Sequence, residues 1–170
     1  MVYAPLNLSF GVITLIIALI SAVLFVIIDQ VSKWLVVTNL GQGGSVTIIP
    51  GLLDFTYSEN DGMAFGLGSD TFRWVFIAVT VVVSAILIYL MFRPGFKSNL
   101  YFASVACIVG GGIGNLIDRL FNGYVVDFLS LSFFSPICNI ADYCITAGTV
   151  MLIIFILFYF DKKPAEIDKD

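Results

Sequence analysis

A chain of 170 residues that is 59% hydrophobic and 12% charged carries about half the roughly 25% charged content of a soluble domain, which excludes a water-wetted globule and implies an integral membrane protein. Its net charge of −4, with no basic patch, excludes nucleic acid as a partner. Histidine is absent, which removes the usual general base and the commonest metal ligand.

Any chemistry must then come from carboxylates, hydroxyls, thiols or amines. Cys107, Cys138 and Cys144 form no C-x-x-C pair and no metal-ligand spacing, so no metal site and no cofactor is expected. Cys107 reads as a small buried hydrophobe within an apolar run. Cys138 and Cys144 read as unpaired.

Leu8 to Ile28 is an apolar run of 21 residues, and about 20 such residues cross a bilayer as a helix. No Lys or Arg precedes it and no small-residue cleavage site follows, so a retained span is expected rather than a signal peptide. Asp29 and Lys33, four apart on one face, extend this helix to about Val37. Trp34 suits the aromatic belt of a membrane interface. Residues 38–71 form the longest polar stretch and are expected as a loop on the outer membrane surface. Within it, Ser45–Ile49 and Leu53–Tyr57 are rich in β-formers and Pro50-Gly51 lies between them, which predicts a small sheet. Near its end, Gly62 and Gly66 permit backbone geometries closed to other residues.

The second span is Phe72 to Phe92, ended by the turn Arg93-Pro94-Gly95-Phe96-Lys97. The third is Leu100 to Ile117, where Ala106, Gly110 and Gly114 recur every four residues. That is the small-xxx-small pattern of close helix packing in lipid. A short, partly aromatic connection leads to the fourth span, Tyr143 to Phe160, and to a charged tail at 161–170. The expected fold is an all-α membrane protein. It is a four-transmembrane-helix bundle with a small β-sheet and loop region on the outer membrane surface, forming one membrane domain over residues 1–170.

Arg93, Lys97, Lys162, Lys163 and Lys169 fall on one side of such a bundle, and Lys33, Arg73 and Arg119 on the other. The positive-inside rule then places both termini in the cytoplasm. The long loop and the acidic residues face outward.

Asp29, Asp118, Arg119, Asp127 and Asp142 all lie near the outer ends of spans. A lone aspartate there is commonly a solvated or salt-bridged interfacial charge. Asp127 in V-V-D-F-L and Asp142 in N-I-A-D-Y-C lack the hydrophilic neighbours of a solvated loop, and acids at the edge of lipid are costly. Two carboxylates held close cannot both ionise cheaply, so the pair contains an acid and a base at neutral pH. A water between them could be deprotonated as it attacks a carbonyl, while the protonated partner donates to the oxygen that becomes negative. Asp142 opens the fourth helix, where the macrodipole favours its anion, so it is expected to be the base. Asn115 and Arg119 share a helical face beside Asp118, and Arg119 is a candidate anchor for a backbone carbonyl or an anionic lipid headgroup. Asn60 and Asn139 read as donors to a substrate backbone or as turn caps. Asp29 and Lys33 read as a supporting ion pair.

Taken in order, D-Q-V-S-K (29–33), N-D-G-M-A-F (60–65), G-G-G-I-G-N-L-I-D-R (110–119), V-V-D-F (125–128) and N-I-A-D (139–142) resemble the lipoprotein signal peptidase family, signal peptidase II, over nearly the whole chain. The resemblance implies an aspartyl endopeptidase of the bacterial cytoplasmic membrane. Such an enzyme removes signal peptides from diacylglyceryl-modified prolipoproteins, cleaving just before the lipidated cysteine. It implies Asp127 and Asp142 as the catalytic pair. Asp29, Lys33, Asn60, Gly62, Asn115, Arg119 and Asn139 are the implied supporting or substrate-binding positions. It further implies prolipoprotein substrates, contact with membrane lipids and inhibition by globomycin-type cyclic peptides; a monomer is expected, because one chain holds every group the reaction needs. Cys138 departs from the aromatic residue usual before N-x-A-D, and the Asp127–Asp142 connection is on the short side. For such a substrate, the glycine-lined third helix would leave room for backbone or acyl chain, and the predicted sheet would hold the extended cleavage segment by strand pairing. The rival readings are a small transporter or proton-conducting protein and a non-enzymatic membrane scaffold. A transporter would want acids spread through the membrane depth, whereas the middles of these spans carry none.

Overall fold

The computed structural model describes residues 8–62, 69–93, 96 and 98–160. The chain runs α1 (Leu8–Leu40), β1 (Ser45–Ile49), β2 (Leu53–Asn60), α2 (Ser69–Leu90), α3 (Asn99–Phe121), β3 (Val125–Leu131), β4 (Phe134–Cys138) and α4 (Ile140–Phe158). Among the described residues, four stretches are long and apolar enough to cross a membrane: Val12–Leu40, Thr71–Leu90, Asn99–Phe121 and Ile140–Phe158. The expectations for Gly66, for the Pro94-Gly95 turn and Lys97, and for the tail at 161–170 lie outside the described residues.

Helix α3 is the centre of the bundle. It packs against α1, α2 and α4, and its buried face runs from Tyr101 to Asp118. Lipid is as apolar as leucine, so helices in it associate through close packing and buried polar groups rather than through the hydrophobic effect. The glycines supply the closeness. A Cβ on Gly110 would meet the Ala22 carbonyl oxygen of α1 at 2.9 Å, and one on Gly111 would meet the Ala141 oxygen of α4 at 2.5 Å. One on Gly114 would meet Oδ2 of Asp29 at 2.6 Å. The room expected along this face for substrate is therefore filled by α1 and α4. At the end away from the sheet, Tyr101 and Phe155 form the buried aromatic core with ring centroids 5.1 Å apart. The Tyr101 hydroxyl donates to the Leu87 carbonyl at 2.9 Å, which ties α3 to α2.

The sheet has the order β1-β2-β3-β4, all antiparallel. The first two strands fall where the β-rich runs predict them, with β2 longer by three residues. Strands β3 and β4 replace the expected connection. Val36 at the end of α1 packs with Tyr57, Val126 and Phe128 to seat the sheet on the bundle. Phe55 and Phe128 meet edge to face at 5.4 Å, a favoured aromatic geometry. Between Phe55↔Leu129 and Ser58↔Asp127 the register slips by one residue, so Thr56 and Tyr57 together oppose Phe128. Such a bulge re-aims neighbouring side chains, and here the neighbour is Asp127.

Candidate active site

Two aspartates arrive at one asparagine from different elements. Asp127 comes from β3 and Asp142 from the first turn of α4. Asn139 is the N-cap of α4: its side-chain oxygen accepts from the Asp142 N–H at 2.9 Å, and its own backbone N–H donates to Oδ2 of Asp142 at 3.1 Å. This reciprocal capping box satisfies two helix-end donors and orients the Asp142 carboxyl. The side-chain amide of Asn139 donates to Oδ1 of Asp127 at 2.6 Å. One residue thus holds both carboxyls.

Each of the four carboxylate oxygens accepts one N–H. Asn60 donates to Oδ2 of Asp127 at 2.9 Å, and Asn115 donates to Oδ1 of Asp142 at 2.8 Å. Asn60 is itself fixed, because its side-chain oxygen accepts from the Gly62 N–H at 3.0 Å. Gly62 has φ of +73°, open to glycine at no steric cost, and a Cβ there would also crowd Phe76 at 3.2 Å. Burial pushes the Asp127 carboxyl up to about 6; the Asp142 charge adds to this, while the amides of Asn60 and Asn139 oppose it. Burial and both aspartates raise the Cys138 thiol, so this nearby sulfur is held as a neutral thiol. All three cysteines are free.

Behind the pair lies a buried ion cluster. The Lys33 ammonium touches Oδ2 of Asp29 at 2.8 Å and Oδ2 of Asp118 at 2.9 Å, and donates to Oδ1 of Asn115 at 2.9 Å. Asp29 also accepts from the Ala141 N–H at 2.9 Å, so it caps α4 from α1. Asp118 accepts from the Val126 N–H at 3.0 Å and so ties α3 to β3. Gln30 donates to Oδ1 of Asp118 at 3.0 Å and to the Gly114 carbonyl at 3.1 Å. Arg119 lies over the Phe76 ring at 4.8 Å, donates to the Asn115 carbonyl at 3.4 Å, and interacts electrostatically with Asp142, Asp127 and Asp118.

The structure therefore gathers Asp29, Lys33, Asn60, Gly62, Asn115, Arg119, Asp127, Asn139 and Asp142 around one centre. Asn60 and Asn139, open between substrate donors and turn caps, point their amides at the aspartates. Reading the sequence left Asp118 as a bystander and overlooked Gln30. A signal for Asp118 was present: Asn115 and Asp118 are three apart and so share a face of an apolar helix, where a buried acid needs a cation.

The family model described as "Signal peptidase (SPase) II" matches residues 21–158. A lipoprotein signal peptidase of Lactobacillus johnsonii is 41% identical over 145 residues, covering 85% of this chain and 94% of that protein. One of Symbiobacterium thermophilum is 34% identical over 151 residues, covering 87% and 99%. A bacterial membrane enzyme solved by the in meso method at 2.3 Å resolution superposes with a TM-score of 0.78 at 32% identity, covering 89% of this chain and 94% of that one. A match over most of the bundle, the sheet and both aspartates places this chain in the signal peptidase II family.

Proposed function

We propose that the protein is an aspartic endopeptidase that removes the signal peptide from diacylglyceryl-modified prolipoproteins, cutting just before the lipidated cysteine. The supporting observation is the shared asparagine: Asn139 hydrogen-bonds both carboxyls, and every oxygen of the pair accepts an N–H. The names of the relatives supply the substrate class.

In this reading, ionised Asp142 takes a proton from a water as that water's oxygen bonds to the scissile carbonyl carbon. Protonated Asp127 donates to the carbonyl oxygen as it gains negative charge. The tetrahedral intermediate then collapses, the C–N bond breaks, and the departing amine takes the proton that Asp142 had removed from the water, which leaves Asp142 ionised and Asp127 protonated again. Asp142 suits the base, because it sits at a helix N-terminus, where the macrodipole favours its anion. Asp127 suits the acid, because burial favours its neutral form. Arg119 anchors the substrate through a backbone carbonyl or an anionic headgroup. No cofactor takes part, one chain suffices, and globomycin-type cyclic peptides compete for the site. The reaction takes place at the outer face of the bacterial cytoplasmic membrane, where the substrate's apolar signal helix already brings the scissile bond.

Purified protein in detergent, given a diacylglyceryl-modified prolipoprotein, tests this. Wild type should release the shortened product, whereas Asp127→Asn and Asp142→Asn should release none while melting like wild type. Cleavage that persists in either variant overturns the reading.

A further inference from the structure

The Lys33 ammonium has three N–H donors and spends all of them on buried oxygens: one each of Asp29, Asp118 and Asn115. The third contact does not neutralise charge. It fixes which way round the Asn115 amide sits. Oδ1 of Asn115 accepts from Lys33 at 2.9 Å and from Asn139 at 3.1 Å, so Nδ2 is left to donate to Asp142 at 2.8 Å. The reverse orientation would press an NH2 group against an ammonium and a carbonyl oxygen against a carboxylate. We propose that Lys33 is a positioning residue which locks the Asn115 amide and thereby decides which aspartate of the pair holds the shared proton.

The groups facing Asp142 are Asp127 on β3, Arg119 on α3, Cys138 on β4 and Tyr143 on α4. Asp29, Lys33 and Asp118 stand behind Asn115. Without the ammonium, Asn115 can turn its oxygen toward Asp142. That oxygen repels the carboxylate and accepts from the protonated acid, so the base is filled with a proton where it should be empty.

Lys33→Met alone would strand two buried carboxylates, so the test pairs it with Asp118→Asn. That pairing removes one charge of each sign. The cleavage rate of the diacylglyceryl-modified prolipoprotein is measured against pH for wild type, for Lys33→Met/Asp118→Asn and for Lys33→Gln/Asp118→Asn. The methionine variant should shift the low-pH limb of the profile upward by about one pH unit, the effect expected from losing a hydrogen bond to a charged group. The glutamine variant, which keeps an N–H donor for Asn115, should restore it. Should the methionine variant not purify as folded protein, Lys33→Met/Asp29→Asn, which removes the other carboxylate bound to the ammonium and keeps an oxygen for the Ala141 N–H, carries the same expectation. An unshifted limb, with only a uniform fall in rate, overturns the proposal. The inference rests on the two-aspartate reading but fails separately from it. If Asp127→Asn and Asp142→Asn abolish cleavage and the limb does not move, only the role of Lys33 is lost.

Discussion

Asp127 lies on a strand among apolar neighbours, and Asp142 completes a capping box; in the proposed mechanism this difference in backbone setting separates their roles. The Asp127 carboxyl is raised from 3.8 to about 6, burial first among the causes. Below that value it holds the proton that the proposed mechanism needs, and above it the proton is lost. The cleavage profile measured as kcat/KM, which reports the free enzyme, should therefore fall as pH rises through about 6. The Asn60 amide favours the charged form, so Asn60→Ala should move this high-pH limb upward by about one unit, in line with a hydrogen bond to a charged group. A limb that stays in place or moves down would refute the assignment. The same value carries a stability consequence. The folded protein binds this proton more tightly than the unfolded chain, so the stabilisation is complete below 3.8 and is lost as pH climbs through about 6. At this scale much of the site was legible, because acids and amides in an apolar chain need a reason. Gln30 was not, because its partners, the Gly114 carbonyl and the Asp118 carboxyl, come from α3, and no local pattern announces a contact between distant segments. The capping box was in plain view, since N-I-A-D heads an apolar run with cap and acid three apart.

The glycines of α3 read correctly as a packing device and wrongly as vacant space, because a bare helix face does not say which neighbour covers it. Their surroundings rank what alanine would do. At Gly111 the added carbon would meet a backbone oxygen at 2.5 Å, and at Gly114 a carboxylate oxygen at 2.6 Å. Neither can move, since the first belongs to α4 and the second to a carboxyl group held by Lys33 through this oxygen and by the Ala141 N–H through the other. At Gly112 the nearest atom is a methyl of Thr80 at 3.1 Å, the end of a side chain. Overpacking a tight core costs about 1–3 kcal/mol. Gly111→Ala and Gly114→Ala should fall in or above that range, with Gly112→Ala near zero, as read by thermal melting in detergent. Equal losses at all three would show that the helices adjust as rigid bodies. Strands β3 and β4 were missed for a related reason. V-V-D-F-L-S-L-S-F-F-S-P-I-C breaks alternation, and β3 owes its existence to pairing with β2, about seventy residues earlier. Pro136 in β4 is tolerated because that strand is at the sheet edge. A substrate segment adding to this edge would find one N–H missing, which favours β1 as the pairing edge.

The sheet, the ion cluster and both aspartates lie at one end of a bundle whose long apolar side chains are largely exposed along its length. This asymmetry gives the molecule its direction, and membrane sidedness decides whether the site can work. The proposed activity requires the sheet end to face outward, because signal peptides emerge on the far side of the membrane from the ribosome. The order of motifs along the chain carried this arrangement, because alternating spans bring residues 29, 118, 127 and 142 to the same side. The charge count expected from the sequence supports it less strongly, with five Lys and Arg assigned to the opposite side against three to this one. Two of those three, Lys33 and Arg119, are engaged inside the bundle, so the cationic surface of the sheet end is smaller than the count suggests. Sidedness is measurable with a membrane-impermeant maleimide on intact cells, using a variant without Cys107, Cys138 and Cys144. Val46→Cys on exposed β1 should label from outside, and Phe92→Cys in the turn after α2 should label only after the membrane is opened. The reverse pattern would put the aspartate pair in the cytoplasm, where no translocated signal peptide could reach it, and the peptidase reading would fall with it.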